Sequence, residues 1–96
     1  MTTTTSYIEE ILDIAGLAAV AYRRTDLECG LGEMWDITAP DDSATVRVLD
    51  NDGQIMVLLF TGGRAQILDG QMTFDHTFAA PAYVAAALDQ IVADHL

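Results

Sequence analysis

Apolar residues recur along the first part of the chain with the spacing of a helix. Ile8, Ile11, Leu12, Ala15, Ala18, Ala19 and Tyr22 fall on one face, and Glu9, Glu10 and Asp13 hold the opposite one. Ser6-Tyr7-Ile8-Glu9 reads as a capping box, in which the serine hydroxyl accepts from the N–H of residue 9 and the glutamate reaches back. Arg23 and Arg24 stand where the carbonyls of a helix C-terminus favour cations. The pattern predicts a helix over residues 6–22. Gly16 is its weak point, costing up to ~1 kcal/mol relative to alanine in a helix interior. It is read as a place of close packing against a sheet.

Beyond the connection 25–32 the period falls to two. Glu33 to Thr38 alternates weakly around Met34, Trp35 and Ile37, and Ala39 to Ala44 carries Pro40 and paired aspartates as turn formers. Thr45 to Leu49 alternates firmly and ends at Asp50-Asn51-Asp52-Gly53, a hairpin turn. A strand over 54–61 follows and Gly62-Gly63 closes it; Arg64 to Leu68 reads as a further strand. Asp69-Gly70 reads as a second two-residue hairpin, leading into Gln71 to Asp75. Pro81 suits the first position of a last helix, running to about residue 95. Tyr83, Val84, Ala87, Leu88, Ile91, Val92 and His95 lie on one side of it, with Asp89, Gln90 and Asp94 on the other.

The fold class expected is therefore α+β. An antiparallel β-meander of four strands, or five if 33–38 joins, is flanked by an N-terminal and a C-terminal helix. Ile55 to Phe60 is an unbroken apolar run, whereas an antiparallel strand with one wet face alternates. This strand is expected to be central, with both faces covered. One face would take the helices; the other would take the 25–45 segment or a second subunit.

A chain of 96 residues makes a single domain, with 1–5 expected to be flexible. Its hydrophobic content of 51% excludes general disorder. No apolar run approaches the length needed to span a bilayer, and MTTTTS lacks the marks of a signal peptide. One cysteine, Cys29, excludes an internal disulfide framework, so a reducing, cytoplasmic setting is expected.

Charge is the outlying property of the composition. Fifteen acids face four bases, Arg23, Arg24, Arg47 and Arg64, for a net charge of −11. Such a surface repels nucleic acid and anionic membranes and attracts basic protein surfaces. The absence of lysine and abundance of alanine also fit the background of a GC-rich genome or a halophile.

Candidate chemistry is sparse. From Asp50, the positions a calcium loop needs at 5, 6 and 12 are Gln54, Ile55 and Thr61, so the turn is not such a loop. Cys29, His76 and His95 are too far apart in sequence, and too few, to suggest a zinc site. Glu28 beside Cys29 raises rather than lowers a thiol pKa, which argues against a nucleophile with His76 as base. Neither Gly30-Leu31-Gly32 nor Gly62-Gly63 belongs to a phosphate loop. No cofactor and no catalytic group are expected.

Three functions of different classes remain. The first is an inhibitor that mimics nucleic acid and occupies a basic channel of a target protein, without touching nucleic acid or membrane itself. Anti-CRISPR and anti-restriction antagonists of phages and mobile elements have this general character. Glu9, Glu10, Asp13, Asp41, Asp42, Asp50 and Asp52 are its candidate partner-binding residues. The second is a homodimeric adaptor or chaperone-like protein holding a partner polypeptide on an apolar sheet face with Met34, Trp35, Met56, Leu58, Phe60, Met72 and Phe74. The third is a small enzyme using Cys29 and His76.

Overall fold

Ser6 closes the first helix as its sequence predicts: its Oγ accepts from the N–H of Glu9 at 3.1 Å. The Glu9 carboxylate reaches back to the Ser6 hydroxyl, at 3.4 Å, rather than to its N–H, and the same hydroxyl lies 2.9 Å from Glu33 Oε2, 27 residues away, to which it also donates. The computed structural model describes residues 6–23, 33–51 and 53–96. The expected flexibility of residues 1–5, Arg24, the 25–32 connection with Cys29, and Asp52 lie outside the described residues. In chain order the elements are α1 (Tyr7–Ile14), β1 (Tyr22–Arg23), β2 (Met34–Thr38), β3 (Thr45–Asn51), β4 (Gln54–Thr61), a 3₁₀ turn (Gly63–Ala65), β5 (Ile67–Asp75) and α2 (Pro81–His95).

The first helix is half as long as its pattern predicts. Gly16 adopts φ +73° and ends it. The N–H of Gly16 bonds the Asp13 carbonyl and that of Leu17 bonds the Leu12 carbonyl, which is a Schellman cap. The accompanying apolar contact is supplied by Leu12 and Leu17, both buried. Gly16 is therefore a stop signal rather than a site of close packing; a Cβ there would meet nothing within 4 Å. The apolar spacing from Ala18 to Tyr22 continues by coincidence of composition. Those residues form turns, and Tyr22 enters β1.

The sheet has five strands in the order β1-β2-β3-β4-β5, each antiparallel to its neighbour. The 33–38 segment is thus one of its strands, and Asn51 pairs with Gln54 where the β3–β4 hairpin closes. The two short strands expected over 64–68 and 71–75 are a single strand that begins only at Ile67, because Gly63–Ala65 forms a 3₁₀ turn. Asp69-Gly70 makes no hairpin: Leu59 pairs with Gly70 and Phe60 with Leu68, leaving Asp69 as the extra residue of a bulge. A turn there would leave the end of the eight-residue β4 without ladder partners on that side.

Both helices pack on one face of the sheet. Ile8, Ile11 and Leu12 of α1, with Val84, Ala85 and Leu88 of α2, meet Ile37, Val46, Val48, Ile55, Val57 and Leu59. The run Ile55–Phe60 resolves into alternation after all. Ile55, Val57 and Leu59 are buried under the helices, and Met56, Leu58 and Phe60 are half-buried on the other face. Among the described residues no helix covers that second face. It carries a charged pair: Asp36, 1% exposed, accepts from Arg47 Nε at 2.8 Å and Nη2 at 3.1 Å. The Arg47 guanidinium also lies 5.0 Å above the Phe60 ring, which satisfies the cation on its remaining side.

Candidate functional site

The candidate carboxylates sit on three kinds of local structure. Glu9, Glu10 and Asp13 belong to α1, where Glu10 and Asp13 are exposed and Glu9 is half-buried, 3.4 Å from the Ser6 hydroxyl. Glu9 and Asp13 flank a crevice of about 250 Å³ floored by Leu12 and Trp35.

Asp41 and Asp42 are exposed on the turn between β2 and β3. Asp41 Oδ1 accepts from Ser43 Oγ at 2.7 Å and from the Ser43 N–H at 3.1 Å. The Ser43 hydroxyl first, and its N–H second, hold the Asp41 carboxyl below the ordinary range. Asp42 has φ +60°, a conformation that aspartate tolerates better than most residues. Asp50 is half-buried at the far end of β3, and its Oδ1 accepts from the Gly53 N–H at 3.1 Å, pinning the hairpin. Asp52 lies outside the described residues.

These residues form two groups. Glu33 accepts from Ser6 and from the Trp35 indole, and its carbonyl accepts from the Asp50 N–H at 2.9 Å. The start of α1, Glu33 and Asp50 therefore share one end of the sheet. Asp41 and Asp42 stand at the other end, separated by the length of β3, about 20 Å at strand rise. Glu33 is a member of the first group that sequence reasoning does not find; its bond to Ser6 is long-range and leaves no local signal.

Among the described residues little of this charge is neutralised by ion pairs. Among the described residues Asp36–Arg47 is the one ion pair. Glu10, Asp13, Asp41, Asp42, Asp69, Asp75, Asp89 and Asp94 are all exposed. Asp75 and Asp94 make local bonds, to the Thr77 N–H and to Gln90 Nε2.

His76 is exposed, with its ring 5.9 Å from that of Tyr7, and His95 is exposed near the end of α2. Tyr7 donates its hydroxyl to the Ala79 carbonyl. Burial first, and the charge of Glu10 second, push the Tyr7 phenol above its ordinary pKa. Among the described residues no three His, Cys, Asp or Glu side chains are grouped to hold a metal ion. No described helix is long and apolar enough to cross a membrane. Comparison with protein-family models, with characterised proteins and with solved structures finds no match.

Proposed function

We propose that this chain is a non-enzymatic acidic inhibitor, acting in the cytoplasm, that occupies a basic nucleic-acid-binding surface of a target protein. The observation that carries this reading is the exposure of eight carboxylates around a fold with one internal ion pair among its described residues. The groups at the two ends of β3 span about 20 Å, the axial length of roughly six phosphates on one DNA strand. A basic channel that releases counterions to DNA can release them to such a surface. A phage or mobile-element antagonist of restriction or of an RNA-guided nuclease is the class of protein this describes.

The test is capture of the partner from host extract at low salt, followed by salt-step elution and by competition with duplex DNA. Loss of binding between about 50 and 200 mM salt, by a thousandfold or more for six paired charges, together with displacement by DNA, supports the reading. A partner that stays bound through that range and ignores DNA contradicts it.

A second reading rests on the sheet face away from the helices, where Met56, Leu58 and Phe60 are half-buried, Leu68 is 50% exposed and Met34 is buried; Trp35, Met72 and Phe74, expected on the same face, pack on the helix side instead. That face suits a second copy of the chain, giving a homodimeric adaptor. Sedimentation that shows a dimer, abolished by Leu58→Asp, favours it; a monomer at every concentration tested removes it.

A further inference from the structure

We propose that the outer edge of β5, with the groove beside it, binds an extended cationic segment of the partner protein as a sixth strand. The inference rests on the preceding reading that the partner is basic, and it names the segment's chemistry and its place of attachment.

β5 is the last strand of the sheet, and among the described residues nothing pairs with its outer edge. Edge strands are usually blunted by lysine, proline or a bulge. β5 has neither lysine nor proline, and its bulge at Asp69 leaves residues 70–75 regular. A row of backbone N–H and C=O groups is thus presented to an incoming strand.

The side of this edge toward α2 is hollowed twice. One hollow, about 510 Å³, is walled by Phe74, Phe78 and Tyr83. The other, about 320 Å³, is walled by Met72 and Ile91. Phe78 is 86% exposed and Tyr83 67%, and Tyr83 is held edge-on to Phe74 at 5.8 Å. Residues 73–75 of β5 line the first and residues 69–72 the second, so the hollows are centred three to four strand residues, or about 12 Å, apart. A strand added to β5 would therefore place two apolar side chains, four residues apart, one in each hollow.

Charge selects the occupant. Every formal charge on β5 and α2 is negative: Asp69, Asp75, Asp89 and Asp94, with no arginine beyond Arg64. A second copy joined through the same edge would bring Asp69 and Asp75 of both copies together. A strand with arginine or lysine between its apolar residues meets them favourably. A nucleic acid offers no backbone amides to complete the ladder.

The probe is the peptide acetyl-Arg-Leu-Arg-Val-Arg-Phe-Arg-amide, titrated into the full chain with amide chemical shifts recorded. The expected result is shifts concentrated on residues 70–80. N-methylating alternate residues on one edge of the peptide weakens binding about tenfold or more, whereas methylating the other edge does not. Phe78→Ser with Tyr83→Ser, both at exposed positions, weakens it similarly. A peptide that binds with equal affinity in both N-methylated forms, or shifts residues away from β5, overturns strand addition and leaves the charge-based function standing. Absence of binding overturns strand addition too. The charge-based function fails separately, through a partner whose capture ignores salt.

Discussion

Gly16→Ala distinguishes two descriptions of the N-terminal segment by the sign of its effect. In a helix continued to residue 22, alanine would replace the weakest interior residue and stabilise the chain by up to ~1 kcal/mol. In the Schellman cap, Gly16 holds φ +73°. A Cβ in left-handed backbone costs roughly 1–2 kcal/mol, and the lower entropy of the unfolded alanine chain returns about 0.4–1. No neighbouring atom lies within 4 Å of the added carbon, so no clash is added. The net expectation is a destabilisation of about 1 kcal/mol, which for a domain of this size lowers Tm by about 4–8 °C. Urea and thermal unfolding followed by circular dichroism measure it, with Gly16→Asn as the control that tolerates positive φ and loses less. A rise in stability for Gly16→Ala would refute the cap and restore the long helix.

Other expectations follow from single interactions. Asp36→Asn leaves Arg47 on a largely apolar face with one partner weakened and is expected to cost about 3 kcal/mol in urea unfolding; a loss under about 1 kcal/mol, the range of solvated pairs, would contradict that. Leu88→Ala removes a side chain 0% exposed from between the helices and the sheet, and is expected to cost about 3 kcal/mol. Tyr7 is protonated more tightly in the folded chain than in the unfolded one. The stability tied to it is whole below the ordinary phenol pKa near 10 and falls as pH rises through the raised folded value. Tyr7→Phe should flatten that decline, as read by unfolding across the alkaline range. Asp41 has the opposite sign: its lowered pKa gives stability present above the ordinary carboxylate range and lost as pH falls through the folded value, a loss that Ser43→Ala should reduce.

The parts of this fold legible in the sequence are those fixed by local physics. Pro81 opens α2, Ser6 caps α1, and the alternation from Thr45 to Leu49 marks β3, because each depends on residues within a turn or a strand. The features that escape sequence reasoning depend on distant partners or on one torsion angle. Alanine-rich sequence after Gly16 keeps helical spacing whether or not it is helical, so only the φ of Gly16 decides. Asp69-Gly70 carries a hairpin's residues, but the length of β4 forces β5 to run through them with a bulge. The apolar run of β4 suggests two covered faces; one is buried and the other half-buried, a difference set by where the helices dock. For the candidate site, exposure of Glu10, Asp13, Asp41 and Asp42 follows from helix-face and turn position. The separation of Asp41 and Asp42 from Asp50, and the recruitment of Glu33 to Ser6, come from strand register and long-range packing, which no short stretch encodes.

Action of the outward carboxylates on a cationic partner is tested most directly by the salt dependence of that binding. The slope of log affinity against log salt is to be measured for the wild-type chain and for Asp41→Asn with Asp42→Asn. The wild type should give a steep negative slope, and the double variant a slope shallower by about two, roughly one for each carboxylate neutralised. A flat wild-type slope, or one unchanged by the double substitution, would contradict a role for those carboxylates.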